Sequence, residues 1–283
     1  DALNATSNAG GKASVSSLDA ARRILAAGAE PVLQICGRDV DAGEFARELH
    51  SGWAAGARNV LCLTGDWSGP RGPRSGRGDP WPTYFPMDSA QMIYEARAWR
   101  ERGEAPFAAA AQKDLENTDP PRFFVGGVIN PFSTPAEAVL ARLAQKAACG
   151  AEFIQTQAVL DVDRFMNWLE RYREWGLDRR VYLLPSVPVI LSLRSFEVLA
   201  GLPGVYAPEG VRERLARGAG SDGRCERAGL DLAGEICSRL AGAPGVDGVH
   251  LMIFGGTWTG VADWVASLRE RTKALVHAGG SRA

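Results

Sequence analysis

The chain has 283 residues, 46% hydrophobic and 23% charged, ordinary for a globular protein and long enough for one large domain or two small ones. Its 32 basic and 33 acidic residues leave a formal net charge of -1, which gives no electrostatic footprint for nucleic acid or an anionic membrane. No apolar run approaches the roughly 20 residues of a membrane span and no signal peptide is evident, so a cytoplasmic location is expected.

In chain order, DALNAT reads as a strand and SSLDAARRILAAG as a helix, with Ser16 or Ser17 as N-cap and Gly28 closing it. PVLQIC is the next strand and EFARELHSGWAAG the next helix. NVLCL follows as a strand, then a helix from near Asp88-Ser89 to about Arg102. RFFVGGV is a strand; TPAEAVLARLAQKAACG is a helix, with Thr134 expected as cap and Pro135 at its first position. EFIQTQ is a strand, DVDRFMNWLERYREWG a helix and RVYLLP a strand ending at Pro185. Helices are expected over 191–202, 208–217 and 222–241. GVHLMIF is the last strand and GVADWVASLRERTKALVHAG the last helix.

These strands are short, apolar and non-alternating, the pattern of strands buried on both faces. Repeating βα units predict a parallel sheet, either a (β/α)8 TIM barrel or a doubly wound sheet. No GxGxxG follows the first strand, which disfavours a dinucleotide-binding Rossmann domain. The expectation is one barrel domain over 1–283. Seven strands are counted, not eight, and the chain opens at Asp1 on the threshold of a strand, without Met. A barrel short of one unit exposes strand edges. A first βα unit upstream of Asp1 is therefore expected, with a seven-unit or open sheet as the alternative.

Cys36, Cys62, Cys149, Cys225 and Cys237 form no CxxC pair, so reduced thiols are expected rather than a disulfide framework or zinc site. The three histidines, His50, His250 and His277, are too few for Ser-His-Asp or metal-hydrolase chemistry to be the first expectation. His50 and His277 fall on expected helices. His250 lies in a strand, where a satisfied core histidine is commoner than a catalyst. The stretch 67–86, rich in Gly, Pro and Arg, is an irregular loop, read equally as an active-site lid or a solvated insertion.

In a parallel barrel the C-terminal strand ends converge on one mouth. Those ends carry Asn4 and Thr6; Gln34; Thr64 and Asp66; Asn130; Gln155 and Gln157; Pro185; and His250 with the Gly255-Gly256 turn. Amides and hydroxyls with one carboxylate suit recognition of a flat heteroaromatic ligand by hydrogen bonding, not metal binding. Taken singly, each residue serves equally well as a cap or loop ligand.

LTGD at 63–66, GAEFIQTQ at 150–157, NATSNAG near the start, FPMDSAQMI, FFVGGVINPF and LPGVYAPEGVRERL together resemble the methylenetetrahydrofolate reductase family, over essentially the whole chain. The likeness is to its stand-alone bacterial branch. The resemblance implies a (β/α)8 barrel that binds FAD at the strand ends. It implies hydride transfer from NADH or NADPH to flavin, and between flavin and the methylene carbon of 5,10-methylenetetrahydrofolate, giving 5-methyltetrahydrofolate. It places Asp66 beside flavin and pterin, and sets Thr6, Gln34, Thr64, Gly65 and Asn130 toward FAD. Lys146 would meet the cofactor's phosphate and ribose region, and Gln157 would hydrogen-bond the folate. Gly65 would let the backbone approach a flat ring, and the charge of Asp66, with no basic neighbour in sequence, would stabilise an electron-poor folate. The family's general-acid glutamate, in an FEFFPP-like first strand, has no match here and is expected upstream of Asp1. Two other readings stand beside this one. The first is a non-catalytic folate- or flavin-binding barrel subunit of a larger one-carbon complex. The second, a barrel lyase or aldolase, lacks the strand-end Lys or metal ligands it needs.

Overall fold

A computed structural model describes residues 1–6, 15–65, 86–115, 119–254 and 258–276. The loop 67–86, but for Pro86, lies outside the described residues, as do His277, the Gly255-Gly256 turn and most of NATSNAG. The strands are β1 (Ala2–Ala5), β2 (Glu30–Cys36), β3 (Asn59–Leu63), β4 (Phe124–Ile129), β5 (Phe153–Ala158), β6 (Tyr182–Ile190) and β7 (His250–Phe254). The helices are α1 (Ser17–Ala26), α2 (Ala42–Ala55), α3 (Ser89–Arg102), α4 (Ala109–Lys113), α5 (Ala136–Cys149), α6 (Val162–Glu174), α7 (Leu193–Ala200), α8 (Val211–Arg217), α9 (Glu226–Leu240) and α10 (Trp258–Val276). The sheet takes its seven strands in chain order. The pairs β1–β2, β2–β3, β3–β4 and β6–β7 are parallel, as repeating βα units require. No described helix is long and apolar enough to cross a membrane.

The chain divides into two compact units, 1–128 with 143–153, and 129–142 with 154–283. In the first, Leu33 and Ile35 of β2 are buried with Phe45 and Leu49 of α2. α2 starts on a capping box between Asp41 and Glu44 and ends at left-handed Gly56; α3 starts on a second box, between Asp88 and Gln91. Buried Glu95 accepts the N–H groups of Phe107 (2.9 Å) and Ala108 (2.9 Å), closing the turn that leads into α4. Burial raises its carboxyl above the usual range, against the pull of those two donors. Glu152 joins α3 to β4 by accepting from Arg100 (2.7 Å) and from Val125 N–H (2.9 Å).

In the second unit, α6 buries Phe165, Trp168 and Tyr172. Trp168 and Tyr172 stack at 5.5 Å, and the Tyr172 hydroxyl lies 3.2 Å from the carbonyls of Leu177 and Val181. α9 packs on β6 through Gly229, where an added Cβ would sit 1.6 Å from the Ile190 carbonyl oxygen.

Three expected boundaries move. β6 does not end at Pro185 but runs to Ile190. Pro185 and Pro188 bring no N–H to the ladder, and nearby donors find other acceptors. Leu183 N–H reaches the Asp247 carboxylate (2.8 Å) and Ser186 N–H reaches Thr156 Oγ1 (3.0 Å). α5 starts at Ala136, and Pro135 stands before it with its carbonyl accepting from Ala138 N–H (3.1 Å). His250 opens β7 rather than closing it, beside Ser186 in register.

Gly229→Ala is expected to lower the unfolding free energy by about 2 kcal/mol or more, because a backbone oxygen cannot step aside. Gly260→Ala is the control: open space surrounds its Cβ in α10, so a gain of up to about 1 kcal/mol is expected. Urea unfolding of both variants checks the contrast.

Candidate functional site

In the first unit the ends of β2 and β3 are tied together. Gly37 N–H donates to Leu63 O (2.7 Å) and Arg38 N–H to Thr64 O (3.0 Å). The Thr64 hydroxyl is bonded to the start of α3. It accepts from Ser89 N–H at 3.0 Å and exchanges a second bond with Ser89 Oγ at 3.0 Å, anchoring the first turn of α3. Gly65 has φ +94°, and a Cβ there would lie 2.5 Å from Cys36 Sγ and 3.0 Å from Arg38 Cβ. The close approach that requires glycine is thus already made by the neighbouring strand end. Asp66, the central sequence expectation, lies outside the described residues.

Sequence reasoning missed Arg38. It has no chemical neighbour in the linear Thr64-Gly65-Asp66 stretch, yet it packs on Gly65 with its side chain only 12% exposed and pairs with Asp39 at 3.0 Å. The turn therefore packs against the aliphatic stem of an arginine whose guanidinium is bonded to Asp39, a contact that the linear sequence does not show. Thr6 is exposed just after β1, and the pairing of Ala5 with Leu33 carries it alongside half-buried Gln34. Lys146 reaches from α5 to the end of β4, its Nζ 2.6 Å from Val128 O. Its charge pulls down the buried Cys62 thiol, which burial nevertheless pushes up to about 12.

In the second unit both expected amides are engaged at both ends. Asn130 Oδ1 accepts from Phe132 N–H (3.0 Å) and its Nδ2 donates to Gly204 O (2.9 Å). Gln157 Oε1 accepts from Ala158 N–H (3.0 Å) and its Nε2 donates to Pro203 O (3.0 Å). Beyond these, Tyr206 forms a parallel bridge with Val159, and the Arg164 guanidinium lies 4.4 Å over its ring.

One level below Gln157, Thr156, Ser186 and His250 form a chain. Ser186 Oγ donates to Thr156 O and stands 2.9 Å from His250 Nδ1. A serine hydroxyl has one hydrogen and a carbonyl only accepts, so Nδ1 carries the proton and His250 Nε2 is the basic nitrogen. Burial lowers its pKa to about 4, keeping the ring neutral near pH 7. Among the described residues no cluster of His, Cys, Asp or Glu suits a metal ion. These side chains can bind, orient and accept a proton.

Residues 128–255 match the family model described as methylenetetrahydrofolate reductase. Methylenetetrahydrofolate reductase 2 of Saccharomyces cerevisiae is 30% identical over 109 residues, 38% of this chain and 18% of that protein. Methylenetetrahydrofolate reductase 1 of Schizosaccharomyces pombe is 31% identical over 101 residues, 36% and 16% of the respective chains. Methylenetetrahydrofolate reductase (NADH) 1 of Arabidopsis thaliana is 26% identical over 125 residues, 44% and 20%. The chain thus spans between 16% and 20% of the length of these relatives. A solved 2,3-dimethylmalate lyase aligns with 99% of this chain and 76% of its own at TM-score 0.40 and 13% identity, too loosely to bear on function.

The His250 geometry carries a pH signature. Its folded pKa of about 4 lies below the usual 6.5, so in that window the unfolded chain binds the proton more readily and stability falls as pH falls. The loss from pH 7 to 4 through this group is at most about 3 kcal/mol. His250→Gln is expected to flatten that part of a stability-against-pH curve measured by urea unfolding.

Proposed function

The chain belongs to the methylenetetrahydrofolate reductase family, and on that premise we propose that it is a flavin-dependent oxidoreductase. It interconverts 5,10-methylenetetrahydrofolate and 5-methyltetrahydrofolate by hydride transfer through FAD. The observation that carries this is the family match over 128–255, which holds Asn130, Gln157 and His250. The sequential parallel strand order supports reading 1–283 as one flavin- and folate-binding (β/α)8 barrel domain.

The donor set of the first unit fits the cofactor. Exposed Thr6, half-buried Gln34 and the Gly65 backbone offer neutral hydrogen-bonding groups for a ring, and the Lys146 ammonium offers a charge for phosphate. When bound, FAD supplies a two-electron carrier between a reduced nicotinamide, NADH or NADPH, and the folate carbon. Asp66 would set a fixed negative charge beside the reacting rings, favouring the electron-poor form of the folate. Gln157 orients the folate by an amide already held in place. His250, kept neutral by burial, donates from Nδ1 to Ser186 Oγ and so holds the Thr156–Ser186 chain in place. Thr64 serves the site through α3 rather than by contact.

The test is the anaerobic visible spectrum of the purified protein incubated with FAD, before and after adding 5-methyltetrahydrofolate. Bound flavin that bleaches is the expected result, and Asp66→Asn is expected to keep the flavin and slow the bleaching by about a hundredfold. Bound flavin that does not bleach would remove the folate half of the reading. A protein that takes up no flavin would overturn it and leave the non-catalytic binding subunit.

A further inference from the structure

Asn130 stands where a cofactor contact is expected, and its amide is bonded within the chain at both ends, to Phe132 N–H and to Gly204 O. Next to it Gln157 holds Pro203 O. Two amides from two strand ends thus grip consecutive carbonyls of one segment, 203–204. Position 204 is built for that grip: its φ is +75°, and a Cβ there would lie 2.1 Å from Asn130 Nδ2. Two residues on, Tyr206 is fixed to Val159 and beneath Arg164.

We infer that Asn130 is a positioning residue: it clamps segment 203–206 so that Pro203 holds Gln157 in one orientation, ready for the folate. The ligand in this inference rests on the function proposed above; the clamp does not. An amide has two N–H donors and two lone-pair sites. Ala158 N–H and Pro203 O take one of each, which leaves Gln157 one donor and one acceptor on the same planar group among the described residues. That pair complements a ring edge carrying both a lactam-type carbonyl and an N–H, the edge that a pterin presents. An unheld glutamine loses rotamer freedom on binding, whereas one fixed beforehand does not.

Three variants test this. Asn130→Asp keeps an acceptor for Phe132 N–H but has no N–H for Gly204; Asn130→Ala removes both bonds; Gly204→Ala puts a methyl group into the grip. Hydrogen–deuterium exchange over 202–208 is expected to quicken about tenfold in all three. Affinity for 5-methyltetrahydrofolate is expected to fall about tenfold, the scale of one lost hydrogen bond, with flavin content unchanged. If Asn130→Ala fails to fold, Asn130→Asp and Gly204→Ala carry the test. Wild-type behaviour of Asn130→Asp would overturn the inference, because Asn130 would then serve only its own turn. Lost flavin with unchanged folate affinity would overturn it by making Asn130 a cofactor contact. Tighter folate binding would overturn it by making the segment a competitor of the ligand. If the wild type binds neither flavin nor folate, the proposed function fails, and the exchange rates alone judge the clamp.

Discussion

A parallel sheet covered on both faces leaves few places for polar side chains other than the ends of its strands, and each polar group there must find a partner. In this protein most of those partners come from the chain itself. Thr64 is spent on the start of α3, Asn130 and Gln157 on the 203–204 carbonyls, and Ser186 on Thr156 and His250. A strand-end amide or hydroxyl that looks like a ligand contact in sequence is therefore often a fastening in space. The two roles are compatible where a group has bonding capacity left over, as the amides of Asn130 and Gln157 both do.

Glycine follows the same constraint. Gly65, Gly204 and Gly229 each stand where another part of the chain comes within 1.6 to 2.5 Å of a missing Cβ. At Gly65 the visitor is Cys36 together with Arg38, at Gly204 it is the Asn130 amide, and at Gly229 it is the Ile190 carbonyl. These glycines let strand ends and helices pack at backbone distance, and that packing sets the side chains around them.

The periodic parts of the fold were legible in the sequence. NVLCL is β3 residue for residue, and the helix placed from Asp88-Ser89 to Arg102 is α3 with its capping box. Apolar runs and caps are local signals, so they survive without tertiary information. β6 was read five residues short, because a proline ends a strand unless neighbouring donors are satisfied elsewhere, and Asp247 and Thr156 do that from distant positions. The site was legible as a set of residue types at strand ends; Gln157 stands at the end of β5 with polar partners, and Lys146 reaches from α5 to a carbonyl of β4. Arg38 was not, because nothing in its own neighbourhood marks it.

The sequence by itself determined the alternation of strands and helices, the parallel order and the family resemblance, since each is written in residues near one another or in motifs carried whole. Only the tertiary structure decided which polar groups are spent. It gave Thr64 to Ser89, put Arg38 against Gly65, fixed the proton of His250 on Nδ1, and joined Asn130 to a carbonyl 74 residues away. A hydrogen bond requires two atoms about 3 Å apart, and which distant residues meet at that distance is settled by packing, not by the order of the chain.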